Sequence, residues 1–246
     1  MNPFIDLRFP LRGNTIRADH AYLLYGAVST QCPELHGEEN ERKSGLKEAF
    51  TPAILGIHTV AGQLIGARRL RLKRSSALTL RLPSDKIGAY LVLAGKTLRI
   101  GNDSVITGVP QIEVLRPASF LQARLICIKG ATTAQIMLEK ARQHILSMGL
   151  TSPEIQIGIP LPKSADSHDG GQGSRVIQDT TGRNGSKAID HSVRRTLRIN
   201  GKEIIGFPIE VSGLSAEDSI RLQERGLGGR RHFGCGIFTR IHPTEL

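Results

Sequence analysis

The chain predicts an α+β protein made of two βαββαβ units of the ferredoxin-like type, one after the other. Three observations carry this. Short runs alternate apolar and polar residues, as in Phe4-Ile5-Asp6-Leu7-Arg8-Phe9 and Leu78-Thr79-Leu80-Arg81-Leu82, the period of a strand with one face in a core. Between such runs lie stretches with apolar residues at helical spacing. The order of elements then repeats, with a break near Arg116-Pro117, and the repeated order is that of a split βαβ motif. The expected domains are 1–116 and 117–246.

In the first unit, the strand from Phe4 ends at Pro10 and Gly13. A helix follows over Ala18–Cys32, with Ala21, Leu24, Tyr25 and Val28 on one face, Asp19 as expected N-cap and Pro33 as stop. Gly37–Glu48 is polar and expected to loop, and Thr51–Thr59 reads as a strand. Leu70-Arg71-Leu72-Lys73 and Leu78–Leu82 are strand runs, Ser84 is expected to cap a helix to about Leu93, and Leu98–Leu115 returns to strand, broken by Gly101 and Gly108. In the second unit, Ser119–Ile128 is a strand and Thr132 or Thr133 caps a helix to Met148. Glu154–Ile159 is a strand, and 162–190 is a long Gly/Ser-rich loop. Arg194–Val211 is one long strand or a hairpin, with Asn200-Gly201 the turn signal. Ser215 caps a short helix to Arg225, and Phe233–Ile241 is the last strand.

Charge narrows the function classes. There are 33 Lys+Arg against 22 Asp+Glu, a net charge of +11. Such a field attracts polyanions, nucleic acid first and an anionic membrane surface second. No run approaches the ~20 apolar residues that span a bilayer, and no signal peptide is visible at Met1-Asn2-Pro3-Phe4. A cytoplasmic protein with no membrane partner is expected. Cys32, Cys127 and Cys235 form no C-x-x-C pair, and the histidines lack metal-ligand spacing. No metal and no cofactor are expected.

The densest signal is Gly226-Leu227-Gly228-Gly229-Arg230-Arg231-His232-Phe233-Gly234-Cys235-Gly236. Glycines allow close backbone approach, successive amides can form an anion nest, and Arg230 and Arg231 add forks that match phosphate. A dinucleotide site needs a strand before such a loop and a helix after it; here the order is reversed. A structural turn competes with RNA phosphate contact by Gly228, Gly229, Arg230, Arg231 and His232.

This loop, placed before a final strand, resembles the glycine-rich loop of the RAMP proteins. The N-terminal segment Arg17-Ala18-Asp19-His20-Ala21-Tyr22-Leu23-Leu24-Tyr25-Gly26-Ala27-Val28-Ser29, then Leu35-His36-Gly37 and Phe50-Thr51-Pro52, resembles the crRNA-processing endoribonucleases among them, the Cas six family. Phe9-Pro10-Leu11-Arg12-Gly13-Asn14-Thr15-Ile16 looks most like the variant first described from myxobacterial CRISPR systems.

The resemblance implies tandem ferredoxin-like domains and metal-independent cleavage of a CRISPR repeat. The 2′-hydroxyl attacks phosphorus, the 5′-oxygen leaves, and a 2′,3′-cyclic phosphate results. Protein groups must move a proton, stabilise the phosphorane and align the nucleotides. His36 matches the family's general acid/base position. Ser29 stands where relatives carry a helix tyrosine and is assigned nucleophile orientation. His20 is a second catalytic histidine, or a helix-start residue that contacts RNA or packs, and Lys47 lies where some relatives place a catalytic lysine. Tyr22 and Tyr25 are expected to pack.

Two basic stripes complete the RNA-binding expectation: Arg69, Arg71 and Lys73 on one strand face, and Arg194 with Arg195. In the family these would grip a stem-loop. The implied partners are repeat RNA, crRNA and other subunits of a CRISPR interference complex. The competing function is a non-catalytic RNA-binding RAMP subunit of such a complex.

Overall fold

The structure, a computed structural model, describes residues 2–32, 35, 55–151, 153–158 and 194–240. His36, Lys47 and the loops expected over 37–48 and 162–190 lie outside the described residues. Packing groups the chain into two units. The first is Met1–Leu115 joined by two later excursions, Arg198–Lys202 and Arg230–Gly234; the second is the remainder of the chain from Arg116 on.

The first unit is built on β1 (Phe4–Arg12). Its alternation buries Ile5, Leu7, Phe9 and Leu11 and turns Asp6 and Arg8 to the other face. Along one edge it pairs antiparallel with β6 (Ala77–Pro83), Leu7 opposite Leu80 and Asp6 opposite Arg81. Along the other it pairs first with β9 (Gln111–Val114) and then with β8 (Asp103–Thr107), which continues to β7 (Thr97–Ile100). β3 (Gly56–Ile57) extends the sheet beyond β6. A smaller sheet joins β2 (Thr15–Arg17), β5 (Arg69–Arg71) and β4 (Gln63–Ile65).

Helix α1 (Ala21–Gln31) packs beside β7 with Ala21, Leu24, Tyr25 and Val28 buried, the stripe its spacing predicts. Its N-cap is His20 rather than Asp19. The helix starts one residue later because the His20 carbonyl accepts the Leu24 N–H. The helix expected from Ser84 is broken up: a 3-10 turn at Ser84–Lys86, α2 (Ile87–Tyr90) and a second 3-10 turn at Leu91–Leu93, with no side-chain cap. Gly88 lowers helix propensity within this short segment, and Gly95 at φ +73° closes it.

In the second unit the strand order is β11 (Glu154–Ile157), β13 (Lys202–Ser212), β10 (Phe120–Ile126), β14 (Phe238–Arg240). β12 (Arg195–Ile199) pairs with β13 as a hairpin, and both Asn200 and Gly201 take the positive φ of a primed turn. Helices α3 (Ala134–Ser147) and α4 (Ala216–Arg225) supply Met137, Ala141, Ile145 and Leu222 to a core with Leu121, Ile157, Ile209, Val211 and Phe238. Thr133 caps α3 by accepting the Ile136 N–H, and Ser215 caps α4 by accepting the Asp218 N–H. The last strand is shorter than expected: Arg231–Phe233 forms a 3-10 turn, and Gly234 and Gly236 at positive φ cannot join a ladder. Both units are antiparallel sheets backed by helices, the α+β class that the patterning predicts.

A cleft lined by the first helix and the glycine loop

Within the first unit a cleft of about 1220 Å³ opens beside α1. Tyr22, Tyr25 and Ser29 line it from the helix, Arg99 from β7, Asn200 from the hairpin tip, and Arg230, His232 and Phe233 from the glycine loop. The Ser29 hydroxyl is buried and has no hydrogen-bond partner among the described residues. His20 is not among the lining residues. Its ring is 1% exposed; Nε2 accepts the Val60 N–H at 2.9 Å, and Nδ1 lies 3.0 Å from the Arg17 carbonyl. Because Nε2 accepts, the ring hydrogen sits on Nδ1 and donates to Arg17. Both ring nitrogens are thus engaged with backbone groups of the fold, Nδ1 with Arg17 and Nε2 with Val60.

The glycine loop is less open to anions than its composition suggests. The N–H groups of Gly226, Leu227, Gly229, Phe233, Gly234 and Gly236 all donate to backbone carbonyls. Gly228 is buried at φ +73°, where a Cβ would stand 2.5 Å from the Cys127 carbonyl. A Cβ on Gly236, at φ +68°, would strike the Leu227 carbonyl. Both glycines are there for close packing. The two arginines part company. Arg230, in the left-handed region at φ 64°, is exposed on the cleft, whereas Arg231 is 1% exposed. Arg231 is thus a buried residue rather than an exposed fork.

Arg231 enters a buried charged cluster on the polar face of β1 and β6. Arg81 grips Asp6 with two bonds, Nε to Oδ1 and Nη2 to Oδ2, each 2.8 Å. His58 Nε2 stands 3.4 Å from Asp6 Oδ1, beyond a well-aligned hydrogen bond. Burial raises the Asp6 carboxyl, but the Arg81 fork and the His58 ring outweigh it and hold the group far below the usual carboxylate range. Burial lowers His58 against the pull of Asp6. Burial, with the like charge of Arg81, brings Arg231 down to about 10 while Asp6 opposes the shift.

The basic stripes also divide. Arg69 is tied to Asp103 by bonds of 2.9 and 2.6 Å and to the Thr15 hydroxyl, so its charge is already matched. Arg71 and Lys73 are exposed, as is Arg194. Arg195 is half-buried, and burial with the like charge of Arg124 lowers it. Among the described residues no three His, Cys, Asp or Glu side chains stand together as metal ligands would, and no helix is long and apolar enough to cross a membrane.

Sequence patterning gave no functional role to the Asp6–Arg81–His58 cluster or to Arg99, and named Asn200 only as a turn residue. An arginine on a strand's polar face looks solvated until the register sets it opposite Asp6. Arg99 and Asn200 join the cleft only because distant segments meet there.

The family model described as Cas6 Crispr matches residues 5–242. The CRISPR-associated endonuclease Cas6 of Myxococcus xanthus (strain DK1622) is 30% identical over 235 residues, which is 96% of this chain and 80% of that relative. Among solved structures, a Cas6-related protein from Pyrococcus furiosus aligns with TM-score 0.60 at 12% identity, covering 99% of this chain and 100% of that one. An RAMP protein binding different RNA substrates aligns with TM-score 0.59 at 12% identity, covering 97% and 99%. These structural likenesses establish the tandem ferredoxin-like fold. With the match along nearly the whole sequence, the chain belongs to the Cas6 CRISPR family.

Proposed function

We propose that this chain is a metal-independent endoribonuclease that cuts CRISPR precursor RNA within the repeat and retains the 3′ hairpin of the crRNA. The observation that carries the proposal is that Ser29, on the helix resembling the family's first helix, shares one cleft with Arg230 and His232 of the glycine loop. The Myxococcus relative, named an endonuclease, supports it.

The 2′-hydroxyl beside the scissile bond attacks phosphorus, leaving a 2′,3′-cyclic phosphate and a 5′-hydroxyl. His36 is the general acid/base, since an unperturbed imidazole titrates at about 6.5, near operating pH. Ser29 orients the attacking hydroxyl, and Lys47 offsets the charge of the phosphorane. Arg230 and His232 hold the RNA at the cleft, with Arg71, Lys73 and Arg194 as phosphate contacts further out. His20, Arg69, Arg231 and Gly228 support these groups from within the fold. The domain division near 116 leaves the proposed acid/base in the first half, while the loop comes from the second.

The test is incubation of the purified protein with its repeat RNA in excess EDTA. The expected outcome is a single cut with a cyclic phosphate end, and a loss of about 10²- to 10⁴-fold in rate for His36→Ala. An intact repeat with and without divalent metal would replace the nuclease by a non-catalytic RNA-binding subunit. Normal cutting by His36→Ala would leave the enzyme and remove the assignment.

A further inference from the structure

Aromatic residues are scarce in this chain: three Tyr, seven Phe and no Trp. Yet the cleft gathers two of those tyrosines, a phenylalanine and a histidine. They form one continuous group. Tyr22 and Phe233 have ring centroids 5.8 Å apart, Tyr25 and Phe233 5.1 Å, Tyr25 and His232 4.9 Å, and His232 and Phe233 4.1 Å. Tyr25 and Phe233 are buried and support the group from below, whereas Tyr22 is 38% exposed and His232 half-exposed. Those two are the accessible rings. Around them Arg99 and Arg230 are exposed, Asn200 offers an amide, and no carboxylate lines the cleft among the described residues.

A flat ligand with π faces and attached negative charge fits this set. Rings stack on rings in a sequence-tolerant way, and arginine forks match phosphate. A duplex would hide its base faces in its own stack, so the ligand must be unpaired. The volume exceeds that of one base and leaves room for the flanking sugar-phosphates.

We infer that the cleft takes one unpaired nucleobase, stacked on Tyr22 and His232, with its flanking phosphates on Arg99 and Arg230. This rests on the RNA reading above and deepens it: the RNA is held open at the cleft by stacking, and Tyr22 is a substrate contact rather than only a packing residue.

The test uses the full chain and two short probes of equal length and charge, oligoadenylate and an abasic ribose-phosphate oligomer. Dye anisotropy gives Kd, and tyrosine emission reports stacking because no tryptophan masks it. The expected result is tighter binding of oligoadenylate, with tyrosine quenching that the abasic oligomer does not produce. Tyr22→Ala and His232→Ala should each weaken oligoadenylate by roughly 5- to 150-fold, the size of one lost base stack, and leave the abasic oligomer nearly unchanged. Tyr22→Phe keeps the ring and should keep the preference. Arg99→Gln should weaken both probes alike. Equal binding of the two probes by wild type, or wild-type preference in both alanine variants, would overturn the inference. So would a polyglutamate peptide that displaces oligoadenylate at equal affinity, since the cleft would then be an acidic-peptide site. Repeat cleavage by wild type without any base preference defeats this inference alone. Base preference without cleavage defeats the nuclease reading alone.

Discussion

Replacing Asp6 by Asn would leave the Arg81 guanidinium buried against a neutral amide. Breaking one partner out of a buried ion pair costs about 3–5 kcal/mol. Asp6→Asn is therefore expected to lower stability by that order in urea unfolding; a loss under about 1 kcal/mol would mean that Arg81 is solvated. The pH sense follows from the shifts. The Asp6 carboxyl is depressed, so its contribution is complete above the unfolded pKa, 3.8, and is lost only as pH falls below that through the depressed range. His58 is also depressed, because the buried ring resists charge; stability therefore begins to fall as pH drops below 6.5. Wild-type unfolding should show that early acid loss, and Asp6→Asn should lose the later one.

At the scale of elements, the glycine loop divides into positions that must be glycine and positions that need not be. Gly236→Ala forces a non-glycine residue to φ +68° and drives its Cβ into the Leu227 carbonyl. Strained φ and overpacking together cost upward of about 3 kcal/mol. Gly229 has no positive φ and nothing within 4 Å of an added Cβ, so Gly229→Ala should melt within a degree or two of wild type. Equal melting temperatures for both variants would contradict the packing described. The same contrast shows what was legible beforehand. The Thr133 and Ser215 caps, the Asn200-Gly201 turn and the alternation of β1 and β6 obey local rules, and local rules can be applied to a bare sequence. The separation of Arg230 from Arg231, and the occupation of the His20 ring by Val60, depend on partners far along the chain. Ser29 could be named from resemblance, but its meeting with His232 in one cleft depends on tertiary structure alone.

For the whole molecule, the net charge of +11 governs how RNA arrives and how tightly it stays. Exposed Arg71, Lys73, Arg99, Arg194 and Arg230 are the cations proposed to meet phosphate. Each phosphate neutralised adds about 0.7–0.9 to the slope of log affinity against log salt. A slope of about −3 to −5 is expected for repeat RNA; one flatter than about −1 would leave no place for a phosphate-led interface. Charge of this kind says nothing of cleavage, which depends on the few groups at the cleft.

The first unit also has a schedule. Arg230–Gly234 belongs to it by packing, although the continuous part of that unit ends at Leu115. During synthesis the ribosome must add more than a hundred further residues before Arg231 can reach Asp6 and Arg81. At about 5–20 residues per second that is a delay on the order of ten seconds. Until then Arg231 is missing from the cluster and the cleft has no loop wall. A chain that stops before Arg230 thus lacks the loop wall of the site proposed for RNA.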